Sequence, residues 1–577
     1  MPEIKLSEQQ TDVVELPLEP IAITACAGSG KTRTAVHRLA EMRRRLDDRH
    51  GMVALLSFSN IAVDTFRRDY LALMRANDGG QQPFGIEIDT VDGFITTNVL
   101  RPHGYHVMGC GCTPYLVDGR EPFLKNFTVF DGVRPNPTAD LRISFENGDF
   151  SFKIGRNAPK KIPTAEAKKA LGKLGAVGAY THASARYWVL RVLKEKPYVL
   201  RALVRRYPHI LVDEAQDVGP EHEAILKLMV DGGSRLSLIG DPHQGIYEFS
   251  GANGSFLSGY AKQLGVTERN LSINYRSVPA IVDLANKLCG RNDKAKRIAP
   301  EILNGAFFIP FKKDEKDNAL ATFRYMLKEA GIADKDGVVV CRSGEWADQW
   351  SGGEDGQGQG IVKAFADAAV CRDKFRRLDQ AYDHTCIGIV GLLANQHRDL
   401  ISKLSRPAGS ADIMKLRRAI WGYARDPAAG LPSATLLADT QWHPLLVERA
   451  KSFIAFLESD FGLSAGENLG NRLAKKALLN KPLIQMPDLA QPDSPPQFRV
   501  STVHKVKGES LEGVMYVVSK EHAEGLLNGT GTEVGRIGYV ALTRARNLFV
   551  LAVPSNALGA LEPRLVKMGF MKPGKAA

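Results

Sequence analysis

The sequence predicts an α/β protein built on two parallel-sheet domains, each interrupted by a largely helical insertion. Three observations carry this. Over the first hundred residues, short apolar runs alternate with helical stretches, the signature of a parallel sheet flanked by helices. The same alternation returns at residues 209–239, after a long stretch of different texture. A second α/β pattern begins near residue 266, breaks off, and resumes near residue 498. The length of 577 residues agrees, since domains run to about 100–200 residues each.

Taken in order, residues 21–25 and 53–58 are apolar runs bounded by Gly or polar residues and read as buried strands. Residues 34–45 and 61–74 read as the helices that follow them. Residues 97–205 open Gly- and Pro-rich and close with a helical, Arg/Lys-rich run from 164 onward, so they read as an insertion. Short apolar strands are expected again at 209–212 and 236–239. The first sheet domain is therefore assigned to residues 1–96 and 206–265. The second takes residues 266–345 and 497–577, with strands expected at 338–342, 498–503, 513–518 and 548–553. Residues 346–496 form the second insertion, entered through a Gly-rich linker at 352–360 and left through a Pro-rich one at 492–496. No repeat period of 20–50 residues and no long low-complexity tract is present.

Composition narrows the class. Hydrophobic residues at 44% and charged residues at 24% exclude wholesale disorder. No apolar run approaches the roughly 18 residues of a membrane span. The opening residues lack the apolar core of a signal peptide, and seven scattered cysteines make no disulfide framework, so a cytoplasmic setting is expected. The 76 Lys and Arg against 64 Asp and Glu leave a net charge of +12, which points towards a polyanionic partner.

The strongest chemical signal is Ala25-Cys26-Ala27-Gly28-Ser29-Gly30-Lys31-Thr32. It follows an expected strand and opens an expected helix, the context a phosphate-binding loop requires. Its glycines let backbone N–H groups wrap phosphates, and the helix N-terminus adds a favourable dipole. Lys31 is placed to neutralise β/γ-phosphate charge, and Thr32 to ligate Mg²⁺. The second signal is Ile210-Leu211-Val212-Asp213-Glu214-Ala215-Gln216-Asp217, a strand ending in carboxylates. Asp213 at the strand end suits the Mg²⁺ shell, and Glu214 can act as general base on a water.

With these residues on the page, the chain resembles superfamily 1 DNA helicases of the UvrD/Rep type. Asp213-Glu214-Ala215-Gln216-Asp217 and the run from Gly240 to Ala252 resemble that family's motifs II and III, and the other motifs follow in the family's order. The resemblance implies two RecA-like domains, ATP and Mg²⁺ as cofactors, and DNA as partner. It implies that Gln10 reads the adenine edge, that Tyr275 stacks on adenine, and that Arg276 and Arg544 reach the γ-phosphate. Gln244 would couple the phosphate to the DNA side, and a glutamate, Glu509 or Glu512, would hold the ribose. Motif Ia at Ser57-Phe58-Ser59-Asn60, motif Ib at Thr90 and motif V at His504 would contact a single strand, with Tyr247 and Phe249 stacking on bases. For Phe58, core packing at a strand end is an equal alternative. Cys26 is read as a backbone-role position.

Several positions depart from the family pattern: Ser250 stands where arginine is usual, Asp92 where histidine is, and Ile61 where lysine is. These bear on DNA contact rather than on phosphate chemistry. His103, His106, Cys110 and Cys112 have a spacing compatible with zinc, but there is no second Cys-x-x-Cys, and Gly109 and Gly111 favour a tight turn. Size and the motif Ib sequence are similar to the helicase subunit of Gabija-type anti-phage systems, which works with a separate nuclease. The expected activity is 3′→5′ ATP-dependent helicase or translocase action. The alternative is a DNA-stimulated ATPase that senses DNA and gates a partner nuclease.

Overall fold

The computed structural model describes residues 6–573 except 47–50, 78–84, 118–120, 147, 156–158, 249–250, 313–314, 351–356, 395–399, 406–409 and 485–497. Two large sheets organise it. Their strands are β1 (Ile21–Ala25), β2 (Val53–Ser57), β3 (Ile86–Thr90), β4 (His209–Val212), β5 (Arg235–Gly240) and β6 (Thr267–Leu271) in the first. The second holds β7 (Gly305–Phe311), β8 (Gly337–Cys341), β9 (Arg499–Thr502), β10 (Leu511–Val517) and β11 (Ala545–Pro554). The first sheet runs β6-β1-β5-β4-β2-β3 and the second β7-β11-β10-β8-β9. Every pairing in both is parallel.

In the first sheet, β1 sits where the strand order reverses, with β5 on one side and β6 on the other. Ligands in open parallel sheets bind outside the carboxyl ends of strands at such a reversal. The order of β1, β2, β4 and β5 thus brings four chemically distinct loops to one edge. Helices close both faces. Lys31–Leu46 and Asn60–Asn77 cover one side, burying Val36, Leu39, Met42 and Phe66 against Ile23, Leu55 and Leu211.

The boundary expected between residues 265 and 266 shifts. Strand β6 pairs along its whole length with β1 and belongs to the first sheet. Likewise helix Gly344–Trp350 buries Trp350 and Ala347 against the second sheet, so the second insertion begins beyond it.

The second insertion is helical, as expected, with Phe365, Leu392, Leu404, Trp442 and Leu457 in its core. The first is mixed. Beside helices Thr164–Ala176, His182–Glu195 and Pro197–Arg206 it carries short strands, including a hairpin of Arg142–Glu146 with Asp149–Ile154. Apolar Ile143, Phe145, Phe150, Phe152 and Ile154 alternate with polar residues there, and the sequence places Asn-Gly between the strands, the two-residue hairpin signal. Among the described residues, no helix is long and apolar enough to cross a membrane.

Candidate active site and nucleic-acid interface

The loop after β1 has the backbone its glycines permit. Gly28 and Gly30 take φ of +71° and +81°. At Gly28 a Cβ would lie 2.5 Å from the Cβ of Arg276, so glycine is also required by close approach. The loop is braced from both sides. Cys26 N–H donates to the Leu271 carbonyl (2.8 Å), and Tyr275 N–H donates to the Gly28 carbonyl (2.9 Å). Lys31 opens the following helix, with Thr32 in its first turn.

Asp213 and Glu214 follow β4, and Glu214 takes the left-handed conformation at φ 53°, unusual for a non-glycine residue. Asp213 is buried and Glu214 half-buried. Burial first, and the charge of Glu214 second, push Asp213 upward. Burial also acts to raise Glu214, but Lys31, Lys507, the Gln216 amide and Arg544 outweigh it and hold Glu214 low. Glu214 is therefore the ionised member at neutral pH. One oxygen of Asp213, Oδ1, is buried without any hydrogen-bond partner. A buried orphan acceptor beside the Thr32 turn fits a hard divalent cation such as Mg²⁺, which takes carboxylate and hydroxyl oxygens.

The segment after β6 and the second sheet domain together supply positive charge to the same place. Arg276 follows β6 and donates from Nη1 to the Thr543 carbonyl (2.9 Å), while Arg544 donates from Nη2 to Gln244 Oε1 (2.9 Å). Burial, and then each other's company, lowers Arg276 to about 9, and burial lowers Arg544 as well. Buried like charges of this kind are stabilised by an anion between them. Glu214 and Arg544 are joined by a polar chain. The Gln216 amide donates to Glu214 and its Oε1 accepts from Asp241 N–H (2.9 Å); Gln244 Nε2 donates to Asp241 Oδ2 (2.7 Å). Arg291 pairs with Asp241 at 3.2 Å.

Lys31, Thr32, Asp213, Glu214, Arg276 and Arg544 all line one cleft of about 610 Å³. The cleft continues past the phosphate side to Phe58, Tyr247 and His504. The rings of Tyr247 and His504 lie 5.7 Å apart, Lys507 Nζ stands 4.9 Å from the Tyr247 ring, and His504 Nε2 is 3.0 Å from the Ile246 carbonyl. Phe58 meets His222 edge-on at 5.5 Å and is half-buried, so it packs at the strand end and still lines the cleft.

Other expected residues sit differently. The Gln10 amide is engaged at both ends, donating to the Ser29 carbonyl and accepting from Ser7 N–H at 3.0 Å each; it clamps the phosphate loop to its helix cap. Glu509 borders the cleft, and both its carboxylate oxygens are held by Arg499 at 2.6 Å. Glu512 pairs with Arg546 and Asn547. The Thr90 hydroxyl caps helix Val91–Ile95 through Gly93 N–H (2.9 Å). Asn60 is exposed at the start of its helix, and Tyr275 presents an exposed ring. Ala25, Cys26 and Ala27 are buried, and burial pushes the Cys26 thiol up to about 12. Phe249 and Ser250 lie outside the described residues.

His103 and His106 stack 6.4 Å apart, but His106 Nε2 contacts the Tyr198 hydroxyl and Cys110 Sγ the Cys112 carbonyl. Among the described residues no group of three or more His, Cys, Asp or Glu side chains is arranged to hold a metal, these four included.

Sequence reasoning did not single out Arg186, His222, Arg291 or Lys507. Asp92 accepts Arg186 Nε (2.9 Å) and Nη2 (2.7 Å), and His222 Nε2 (2.9 Å). The histidine-to-aspartate departure thus ties the first insertion to the sheet domain. Lys507 pairs with Asp217 at 2.5 Å; it lies in motif V, the one signal that could have found it.

Comparison with known proteins agrees with this geometry. Residues 6–143 and 176–264 match the UvrD/REP helicase N-terminal domain, so much of the first insertion, which matched nothing recognisable by motif, falls within the likeness. The chain is 25% identical over 312 residues to DNA helicase II of Haemophilus influenzae, covering 50% of this chain and 40% of that protein. It is 26% identical over 311 residues to ATP-dependent DNA helicase UvrD2 of Mycobacterium tuberculosis (49% and 43%). It is 24% identical over 369 residues to ATP-dependent DNA helicase PcrA of Leuconostoc citreum (59% and 47%). The chain thus spans somewhat under half the length of these relatives.

Proposed function

We propose that the protein is a cytoplasmic ATP-dependent DNA helicase or single-strand translocase of 3′→5′ polarity. The observation that carries this is the single cleft between two sheets, lined at one end by Lys31, Glu214, Arg276 and Arg544 and at the other by Phe58, Tyr247 and His504. Phosphoryl transfer to water needs positioning and positive charge rather than covalent chemistry. The phosphate loop and Lys31 bind the triphosphate, Tyr275 stacks on the adenine, and Glu214, held ionised, takes the proton of the attacking water. Arg276 and Arg544 stabilise charge developing on the transferred group. Mg²⁺, when bound by Thr32 and Asp213, would add positive charge at the phosphates. Because Arg544 comes from the far side, nucleotide binding draws the two domains together and product release relaxes them. Strand contacts made by both domains convert that cycle into steps.

The motif Ib sequence supports action beside a separate nuclease in anti-phage defence, as the Gabija-type resemblance implies. The deciding experiment is ATP hydrolysis with and without single-stranded DNA, together with strand separation on 3′- and 5′-tailed duplexes. Stimulated hydrolysis and unwinding of the 3′-tailed duplex alone are expected. Stimulation without unwinding of either would leave a DNA-sensing ATPase, and no stimulation would refute the reading.

A further inference from the structure

The second insertion carries a groove remote in sequence from every residue of the cleft described above. Helix Ala411–Arg425 buries Leu416, Ile420, Tyr423 and Ala424 in the insertion's core. Its outer face carries Met414, Arg417, Arg418, Trp421 and Arg425, which with Tyr382 of helix Leu378–Leu392 line a groove of about 450 Å³. Among the described residues no carboxylate lines it. The Tyr382 and Trp421 rings lie 5.2 Å apart, and Tyr382 is fixed by donating its hydroxyl to the Leu404 carbonyl (3.1 Å). Arg417 hydrogen-bonds Tyr382. Arg418 and Arg425 are exposed and form no ion pair with any described residue. Met414 is exposed as well.

We propose that this groove is a second site for single-stranded nucleic acid, taking one base against Trp421 and the flanking phosphates on Arg418 and Arg425. The volume is that of a small-ligand pocket. Guanidinium groups left without carboxylate partners match phosphates, and an aromatic ring beside them matches a base face. A duplex hides its base faces within the stack and would leave Trp421 unused, which favours a single strand. The choice of nucleic acid rests on the strand-binding reading above; the unpartnered charge and the groove do not.

The test uses the full chain without nucleotide, and binding of a short (about 8-residue) and a long (about 40-residue) labelled oligothymidine followed by anisotropy over a range of salt. Each neutralised phosphate contributes about −0.7 to the slope of log K against log salt. The R418A/R425A variant, at unchanged melting temperature, is expected to flatten the slope for the long strand by about 1.4 and to leave the short strand unaffected. Trp421→Leu should weaken the long strand about fivefold or more, and Trp421→Phe should restore it. An unchanged slope overturns the proposal. So does displacement of the long strand by polyglutamate as readily as by unlabelled oligonucleotide, which would assign the groove to an acidic peptide. DNA-stimulated ATPase with an unchanged slope removes the groove alone. A flattened slope without stimulated ATPase keeps the groove and removes the helicase reading, and a wild type that binds no strand removes both.

Discussion

Lys507→Met tests the buried charge that joins the two domains. Lys507 and Asp217 side chains are 8% and 4% exposed, at 2.5 Å from one another, and Lys507 Nζ also donates to the Gln244 carbonyl at 2.9 Å. Burial raises Asp217 from 3.8 to about 6 even though Lys507 acts to lower it. Breaking a buried pair by removing one partner typically costs about 3–5 kcal/mol, because a charge is left uncompensated. The native carboxyl has the higher pKa, so between about pH 4 and 6 the folded protein holds a proton that the unfolded chain releases. Stability associated with Asp217 is thus present at low pH and lost as pH rises through 6. Without the lysine its pKa climbs further. Urea unfolding should therefore show mutant and wild type nearly equal at pH 5 and separated by about 3–5 kcal/mol at pH 8. Adding Asp217→Leu to the mutant should recover most of the loss, since an apolar pair leaves no buried charge. A loss independent of pH, or a double variant no better than the single one, would refute the reasoning.

Lys31→Ala should abolish ATP turnover with an unchanged melting temperature; retained DNA-stimulated hydrolysis would sink the phosphate-loop assignment. Arg276→Ala and Arg544→Ala should each lower kcat far more than they raise KM, because each acts on charge that develops in the transition state; steady-state kinetics that show only a KM effect would remove the role. Asp213→Asn should raise the melting temperature in chelator above pH 7, where the wild type must bury an ionised carboxylate against its raised pKa, and should abolish the rise that Mg²⁺ gives the wild type; calorimetry with and without Mg²⁺ reads both.

Eight of the eleven strands were legible because parallel strands buried on two faces are continuous apolar runs, while β3 and β7 were not singled out. Nor was strand β6. Thr267-Glu268-Arg269-Asn270-Leu271 buries fully only Leu271, as an edge strand with charged positions does, and nothing in its pattern says which sheet it joins. The phosphate loop, the acidic pair and Arg544 were legible because their chemistry lies in contiguous residues. Arg186 and His222 were not, since each meets Asp92 from more than ninety residues away. Gln10 and Glu509 show the converse. A motif supplies the side chain, but its partner, Ser29 or Arg499, is chosen by the fold.

The segment after β5 shows how the two domains can sense one another. It belongs to the first sheet domain, yet several of its acceptors are taken by cationic or ring donors from the second. Arg291 meets Asp241 (3.2 Å) and Arg544 meets Gln244 Oε1 (2.9 Å). His504 lies 3.0 Å from the Ile246 carbonyl, and Arg536 donates to the Gly245 carbonyl (2.6 Å) and to Glu248 (2.7 Å). Hydrogen bonds to charged groups contribute about 1.5–3 kcal/mol each, so the segment cannot part from the second domain one contact at a time without a substantial barrier. In the proposed cycle it would move with that domain as a unit. Arg544 stands at the pivot, because the guanidinium that holds Gln244 also lines the phosphate end of the cleft. In the proposed cycle a phosphate arriving there would compete with Gln244 for the same donors, and a phosphate leaving would return them. Tyr247, three residues beyond Gln244, lies on the same segment. A change of charge at the phosphate end therefore reaches the aromatic end of the cleft through one short, rigidly held stretch of backbone.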